Sequence, residues 1–242
     1  MIFQKFEDID LNNFPVIIFG SGPAGITAAL KLENKKISSI IIEAGKEEYN
    51  QDSQDFYKGK IIGDHLAELS SSRLRQLGGT SGHWGGWCKP MESYNLDNWP
   101  IKKEDLDKYN NQTCSILDIK NKFNKSKLND YFNQIEFQYS KVRFAEKYKN
   151  HIKNSKNIHL VLNTHLSHFE GENKAVDKAV CISKKSLIKI KSKYFILACG
   201  GIENSRILLW TREKNKNLIE KKLPLGQYWM NHPWIVSGIG VI

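Results

Sequence analysis

Long apolar runs are missing from this 242-residue chain, and none approaches the roughly 18 consecutive apolar residues that a membrane-spanning helix needs. The first residues, MIFQKFEDIDLNN, are acidic and lack the apolar centre of a signal peptide, so a cytoplasmic location is expected. Cysteine is sparse. Cys88, Cys114, Cys181 and Cys199 lie far apart with no C-x-x-C pair, which argues against a zinc site, a disulfide framework and a disulfide-type reductase. His165 and His168, in THLSH, have no further ligands at suitable spacing, so they are read as surface residues beside a turn near Asn163 and Thr164, and no metal site is expected. Arginine is scarce as well. The net charge of +10 is concentrated in residues 118–193, with 17 Lys or Arg against 7 Asp or Glu, whereas the rest of the chain has 19 of each. That segment is rich in Lys and Asn and has no aromatic-interleaved arginines, so a solvated face is expected rather than a nucleic-acid surface.

What is present begins with a hydrophobic content of 40%, enough for a packed core. Residues 14–19 (FPVIIF) form a continuous β-branched run, as a parallel strand covered on both faces requires. Residues 23–33 predict a helix with Pro in its first turn, and residues 38–44 a second buried strand. A helix is expected over 64–76 and another over 100–117, where Pro100 and first-turn acids such as Asp105 mark the start. Residues 118–156 are the least informative, with a strand near 136–139 and a helix near 144–152. From 157 to 193, NIHLVLN, THLSHFE, AVCIS and LIKIKS read as the strands of a small antiparallel sheet. Residues 194–199 are again a fully apolar strand, leading through Gly200 and Gly201 into a helix over 202–211, and residues 232–242 are strand-like.

Between the first strand and helix, Gly20, Gly22 and Gly25 form G-x-G-x-x-G, with Ser21 inside it. The first glycine makes the tight turn, the second lets backbone approach a pyrophosphate, and the third lets helix and strand pack closely. Glu43, at the end of the second strand, is placed to accept hydrogen bonds from a ribose diol and disfavours a 2′-phosphate, so NADP is not expected. This unit holds a dinucleotide. By itself it leaves FAD and NAD open.

The segment over 73–90, RLRQLGGTSGHWGGWCKP, then resembles the glucose-methanol-choline family of FAD oxidoreductases, whose G-G-[ST]-S loop lies along the pyrophosphate and flavin. Gly78, Gly79, Thr80 and Ser81 match that loop, Arg75 precedes it, and His83 and Trp84 follow it in the manner of the sugar-oxidising branch that resembles pyranose 2-oxidase. In pyranose 2-oxidases the matching His carries the flavin covalently. The resemblance makes His83 a candidate for such a bond, with hydrogen bonding or stacking as the alternative. NWPIKKEDL at 98–106, YFILACGGIENSRILL at 194–209 and LGQYWMNHP at 225–233 also match family segments, the last through Gly226, Met230, His232 and Pro233.

The resemblance implies FAD as cofactor, held by Gly20, Ser21, Gly22, Gly25, Glu43, Arg75, Gly78, Gly79, Thr80, Ser81, His83, Trp84 and Gly200. The implied activity is oxidation of a CH–OH group of a sugar, polyol or other alcohol, with electrons passing to an unspecified acceptor. Family members are longer, and their catalytic His comes from a C-terminal part, so no catalytic residue is assigned here and a truncated substrate domain is expected. The expected fold is α/β. A Rossmann-like FAD-binding domain with a parallel sheet covers 1–222, including a Lys/Asn-rich insertion at 118–156 and the β-rich segment at 157–193, and a substrate domain begins over 223–242. The alternative is a non-catalytic FAD-binding fragment or remnant of such an enzyme.

Overall fold

The apolar runs of the sequence meet in one parallel sheet. The computed structural model describes residues 1–4, 6, 14–63 and 68–230. In chain order its strands are β1 (Ile2–Phe3), β2 (Val16–Phe19), β3 (Ser39–Ile42), β4 (Trp87–Cys88), β5 (Lys125–Lys127), β6 (Asn133–Ile135), β7 (Gln138–Tyr139), β8 (Ile158–Val161), β9 (Thr164–Glu172), β10 (Ala175–Ser183), β11 (Ser186–Lys191) and β12 (Tyr194–Leu197). Its helices are α1 (Pro23–Asn34), α2 (Gln51–Gln54), α3 (Lys103–Asp107), α4 (Asn110–Ile116), α5 (Phe144–Asn154) and α6 (Gly201–Lys214).

The central sheet has the order β1-β8-β3-β2-β12, with every neighbouring pair parallel. All residues of β2, β3 and β8 are buried, because both faces are covered. Ile18 and Ile41 point to one face and pack with Ile26 and Ala29 of α1 and Ile152 of α5. Ile17, Phe19 and Ile40 point to the other, where Phe169 of β9, Cys181 of β10 and Ile207 of α6 cover them. The antiparallel β9-β10-β11 sheet thus fills the layer in which a crossover helix often stands. Because β3 and β12 flank β2 on opposite sides, the strand order reverses at β2, and a crevice opens at the carboxyl ends of β2 and β12.

Three expectations are corrected. Residues 157–163 do not join the antiparallel sheet: β8 lies between β1 and β3, pairing Ile158 with Ser39, and even its one polar side chain, His159, is buried against Phe3 and Phe14. The antiparallel sheet starts only after Asn163, which turns the chain in the left-handed region at φ 53°. The helix expected over 64–76 is not formed over its described part, 68–76. There Gln54 takes over the backbone groups a helix would use, donating to the carbonyls of Ser70 and Arg73 and accepting from the Arg75 amide. The helix expected over 100–117 is split into α3 and α4 at Lys108 and Tyr109. The strand near 136–139 is the short β7, which pairs with β4, and the helix near 144–152 is α5. The run 232–242 lies outside the described residues.

Candidate functional site

At the carboxyl end of β2 the backbone must turn sharply, and the three glycines are used in three different ways. Gly20 has φ 99° and sits so close to β12 that a Cβ would lie 2.5 Å from the Ala198 carbonyl oxygen. Gly25 packs α1 onto the turn, and a Cβ there would lie 1.9 Å from the Gly20 oxygen. Gly22 differs. A Cβ on it would meet nothing within 4 Å, because the residue faces a cavity. Gly22 is also the N-cap of α1, with no side-chain cap and no acid in the first turn, so the orphan N–H groups and the positive end of the helix dipole are left for a ligand.

Glu43 is fixed rather than free. One carboxylate oxygen accepts from the Ser21 amide at 2.9 Å and the Ser21 hydroxyl at 2.6 Å, and the other accepts from the Gly45 amide at 2.7 Å. Ser21 Oγ in turn accepts from the Gly78 amide at 3.3 Å, tying the first glycine turn to the second glycine-rich loop. The two also touch at Gly79, where a Cβ would lie 3.1 Å from Gly22 Cα.

These elements enclose a cavity of about 640 Å³, within the size range of small-molecule and cofactor sites. Of the residues expected to hold the cofactor, Gly20, Ser21, Gly22, Glu43, Arg75, Gly79, Thr80 and Gly200 line it. Gly25, Gly78, Ser81, His83 and Trp84 do not. Gly78, at φ 82°, lies against α5, where a Cβ would come 2.6 Å from the Ala145 nitrogen. Ser81 donates to the Gly78 carbonyl at 2.7 Å and accepts from the Phe144 amide at 3.1 Å, so it caps the start of α5. Trp84 donates to the Val142 carbonyl at 3.0 Å and packs edge-on against Phe144. His83 is exposed. His232 and Pro233 lie outside the described residues.

No family model matches the sequence, and no curated protein matches it. Solved structures do. Pyridoxine 4-oxidase from Mesorbium loti matches with TM-score 0.52 at 13% identity, over 80% of this chain and 50% of that one. An FAD-dependent oxidoreductase from Chaetomium thermophilum matches with TM-score 0.56 at 13% identity, over 81% and 47%. A fungal aryl-alcohol oxidase matches with TM-score 0.54 at 12% identity, over 81% and 47%. The fold is one shared with these solved enzymes, one of which is an FAD-dependent oxidoreductase. This chain spans about half the length of each.

The cavity offers a ligand open backbone at two points: at Gly22, and at Gly200, which at φ 86° likewise has nothing within 4 Å of a Cβ. Sequence reasoning missed Phe56, Tyr57, Arg73, His165, Glu203 and Arg206, all of which line the same space. Arg75 donates to Ser53 Oγ at 2.7 Å and lies over the Phe56 ring at 4.6 Å. Arg73 lies over Tyr57 at 4.0 Å. His165, expected at the surface, turns onto the cavity beside Phe56; burial pushes its pKa down, and Arg75 and Arg206 add to that, so it is neutral at pH 7. Burial, with Glu43 and Glu203 nearby, raises the Tyr57 phenol and pushes the Cys199 thiol up to about 12, so neither ionises at neutral pH. Among the described residues no cluster of side chains could hold a metal ion, and no helix is long and apolar enough to cross a membrane. One signal was available for the missed arginines. The sequence has five Arg, and three of them fall in the segments that carry the family resemblance.

Proposed function

We propose that this chain is the cofactor-holding part of an FAD-dependent oxidoreductase acting on CH–OH groups, with a sugar or polyol as the substrate class. The observation that carries the reading is the asymmetry of the glycine turn: Gly20 and Gly25 are closed by protein, while Gly22 opens on the cavity at an uncapped helix N-terminus. In this reading the α1 N–H groups bind the pyrophosphate and Glu43, held by Ser21 and Gly45, orients the ribose through its remaining lone pair. Gly79 and Thr80, with the Phe56 and Tyr57 rings, line the same cavity and would border the cofactor. The bound flavin supplies the acceptor for the hydride that leaves the alcohol carbon. The group that takes the hydroxyl proton, a step such oxidations require, is not assigned to this chain. In this reading a substrate domain begins near residue 223.

The visible spectrum of the purified chain tests this reading: a flavin band is expected, and its absence even after FAD is added overturns it. A covalent bond from His83 is a finer form of the proposal, and release of all yellow colour into the supernatant on acid precipitation excludes it. The second reading is a non-catalytic FAD-binding fragment. Anaerobic addition of sugars and polyols separates the two, since bleaching of the flavin band requires catalysis.

A further inference from the structure

The chain has 31 Lys and only 5 Arg, yet three of those arginines, Arg73, Arg75 and Arg206, line the cavity, and among the described residues no lysine does. A guanidinium differs from an ammonium in presenting a rigid fork that matches the oxygens of a phosphate. Arg75 is already occupied by Ser53 and the Phe56 ring. Arg73 and Arg206 both turn toward one carboxylate, Glu203 in the first turn of α6, with Arg206 at 2.5 Å and Arg73 at 3.5 Å. Arg73 also lies over Tyr57 and donates from Nε to the Leu69 carbonyl at 3.1 Å, but its buried Nη1 has no hydrogen-bond partner among the described residues. Two cations sharing one carboxylate on a cavity wall are under-neutralised, and an entering anion would complete them.

We propose that Arg73 and Arg206 form a phosphate clamp on the α6 side of the cavity, and that Glu203 fills the clamp as an internal anion until a phosphate-bearing ligand displaces it. The proposal relies on the flavin reading only for the identity of that ligand, the pyrophosphate of a dinucleotide. α1 supplies backbone N–H groups to the phosphates, and the clamp supplies charge. Glu203 keeps Arg73 and Arg206 ordered, at the cost of competing with the phosphates. Removing its charge while keeping its shape therefore strengthens binding of anions and leaves binding of neutral ligands alone.

Calorimetric titration of the whole chain with ADP and with adenosine, at low salt, tests this. Glu203→Gln is expected to tighten ADP binding about tenfold, and Arg206→Gln to weaken it about tenfold, because each changes one unit of charge near the phosphates and salt screens the effect. Adenosine binding is expected to be unchanged in both. An unchanged or weakened ADP affinity in Glu203→Gln overturns the proposal, as does a parallel shift for adenosine, which would make Glu203 a shape or hydroxyl contact. Should Glu203→Gln fail to fold, as judged by its melting curve, Arg206→Gln carries the test, since half of its side chain is already in solvent. A chain that binds ADP with these shifts but gives no flavin band with FAD sinks the flavin reading and leaves the clamp. A chain that takes up FAD while both variants bind ADP like the wild type sinks the clamp alone, and a wild type that does not bind ADP also sinks it.

Discussion

At the scale of single residues, Gly22 and Gly25 are three positions apart and are expected to respond to the same change in opposite ways. Ala at 25 would place its methyl carbon 1.9 Å from the Gly20 oxygen, so Gly25→Ala should cost about 1–3 kcal/mol or more in urea unfolding and lose flavin with the fold. Gly22→Ala puts its methyl into open cavity, at an N-cap where Ala is merely a poor cap, so stability should stay within about 1 kcal/mol of wild type while FAD affinity drops. If both variants lose stability alike, Gly22 has no role toward a ligand. His159 offers a second test. Burial, followed by the nearby N-terminal ammonium, lowers its pKa, so the unfolded chain binds the proton more readily than the folded one. Its contribution is therefore fully present above the ordinary histidine pKa of about 6.5 and is lost as the pH falls below it. The urea midpoint should fall between about pH 7 and about pH 5, and His159→Phe, which suits the Phe3 and Phe14 neighbours, should flatten part of that fall.

At the scale of elements, one buried hydroxyl adds to the Ile207 packing and the Asn215 hydrogen bond that hold α6 on the antiparallel sheet. Thr211 Oγ1 donates to the Ile207 carbonyl at 2.8 Å and accepts from the Phe169 amide of β9 at 3.1 Å, fully buried. Thr211→Val keeps the volume but orphans that amide, and should cost about 1–3 kcal/mol by urea denaturation, without changing the helix content seen by circular dichroism. Elements whose chemistry is local were legible in the sequence. β2, α1 and β3 are marked by apolar runs and glycine spacing within one stretch, and Asn163 marks the turn into β9. Elements decided by distant partners were not: β8 looks like its antiparallel neighbours until Ser39–Ile42 is brought alongside it, and the stretch 68–76 loses its helix to the side chain of Gln54. The site followed the same rule. The glycine turn and Glu43 could be read directly, whereas Phe56, His165 and Glu203 reach the cavity only through the packing of α2, β9 and α6 around it. Gly45 left no trace either, though a Cβ there would lie 2.1 Å from the Arg75 oxygen and push the 73–77 segment away from Lys46, to which Gln76 is bridged.

At the scale of the whole molecule, part of the basic excess of the 118–193 segment is paired with carboxylates. Lys147 of α5 pairs with Asp118, Lys127 of the β5–β6 hairpin with Asp130, and Lys189 of the antiparallel sheet with Glu170. A mobility-shift titration with duplex DNA should therefore show no binding at low salt, where a nucleic-acid protein would bind most tightly. The order of the central sheet has a consequence for how the molecule is made. β2 meets β12 across 178 residues of sequence, and β3 meets β8 across 119. Parallel pairing at such separation is slow, because loop closure comes before any contact rewards it. A chain ending at residue 193 would carry β2 with an unpaired edge and should precipitate on expression, whereas one ending after α6 should stay in solution. During synthesis, then, β2 and β3 leave the ribosome together but long before β12 and β8, which cover their outer edges, and the yield of folded protein is expected to rise when a chaperone that shelters such segments is co-expressed.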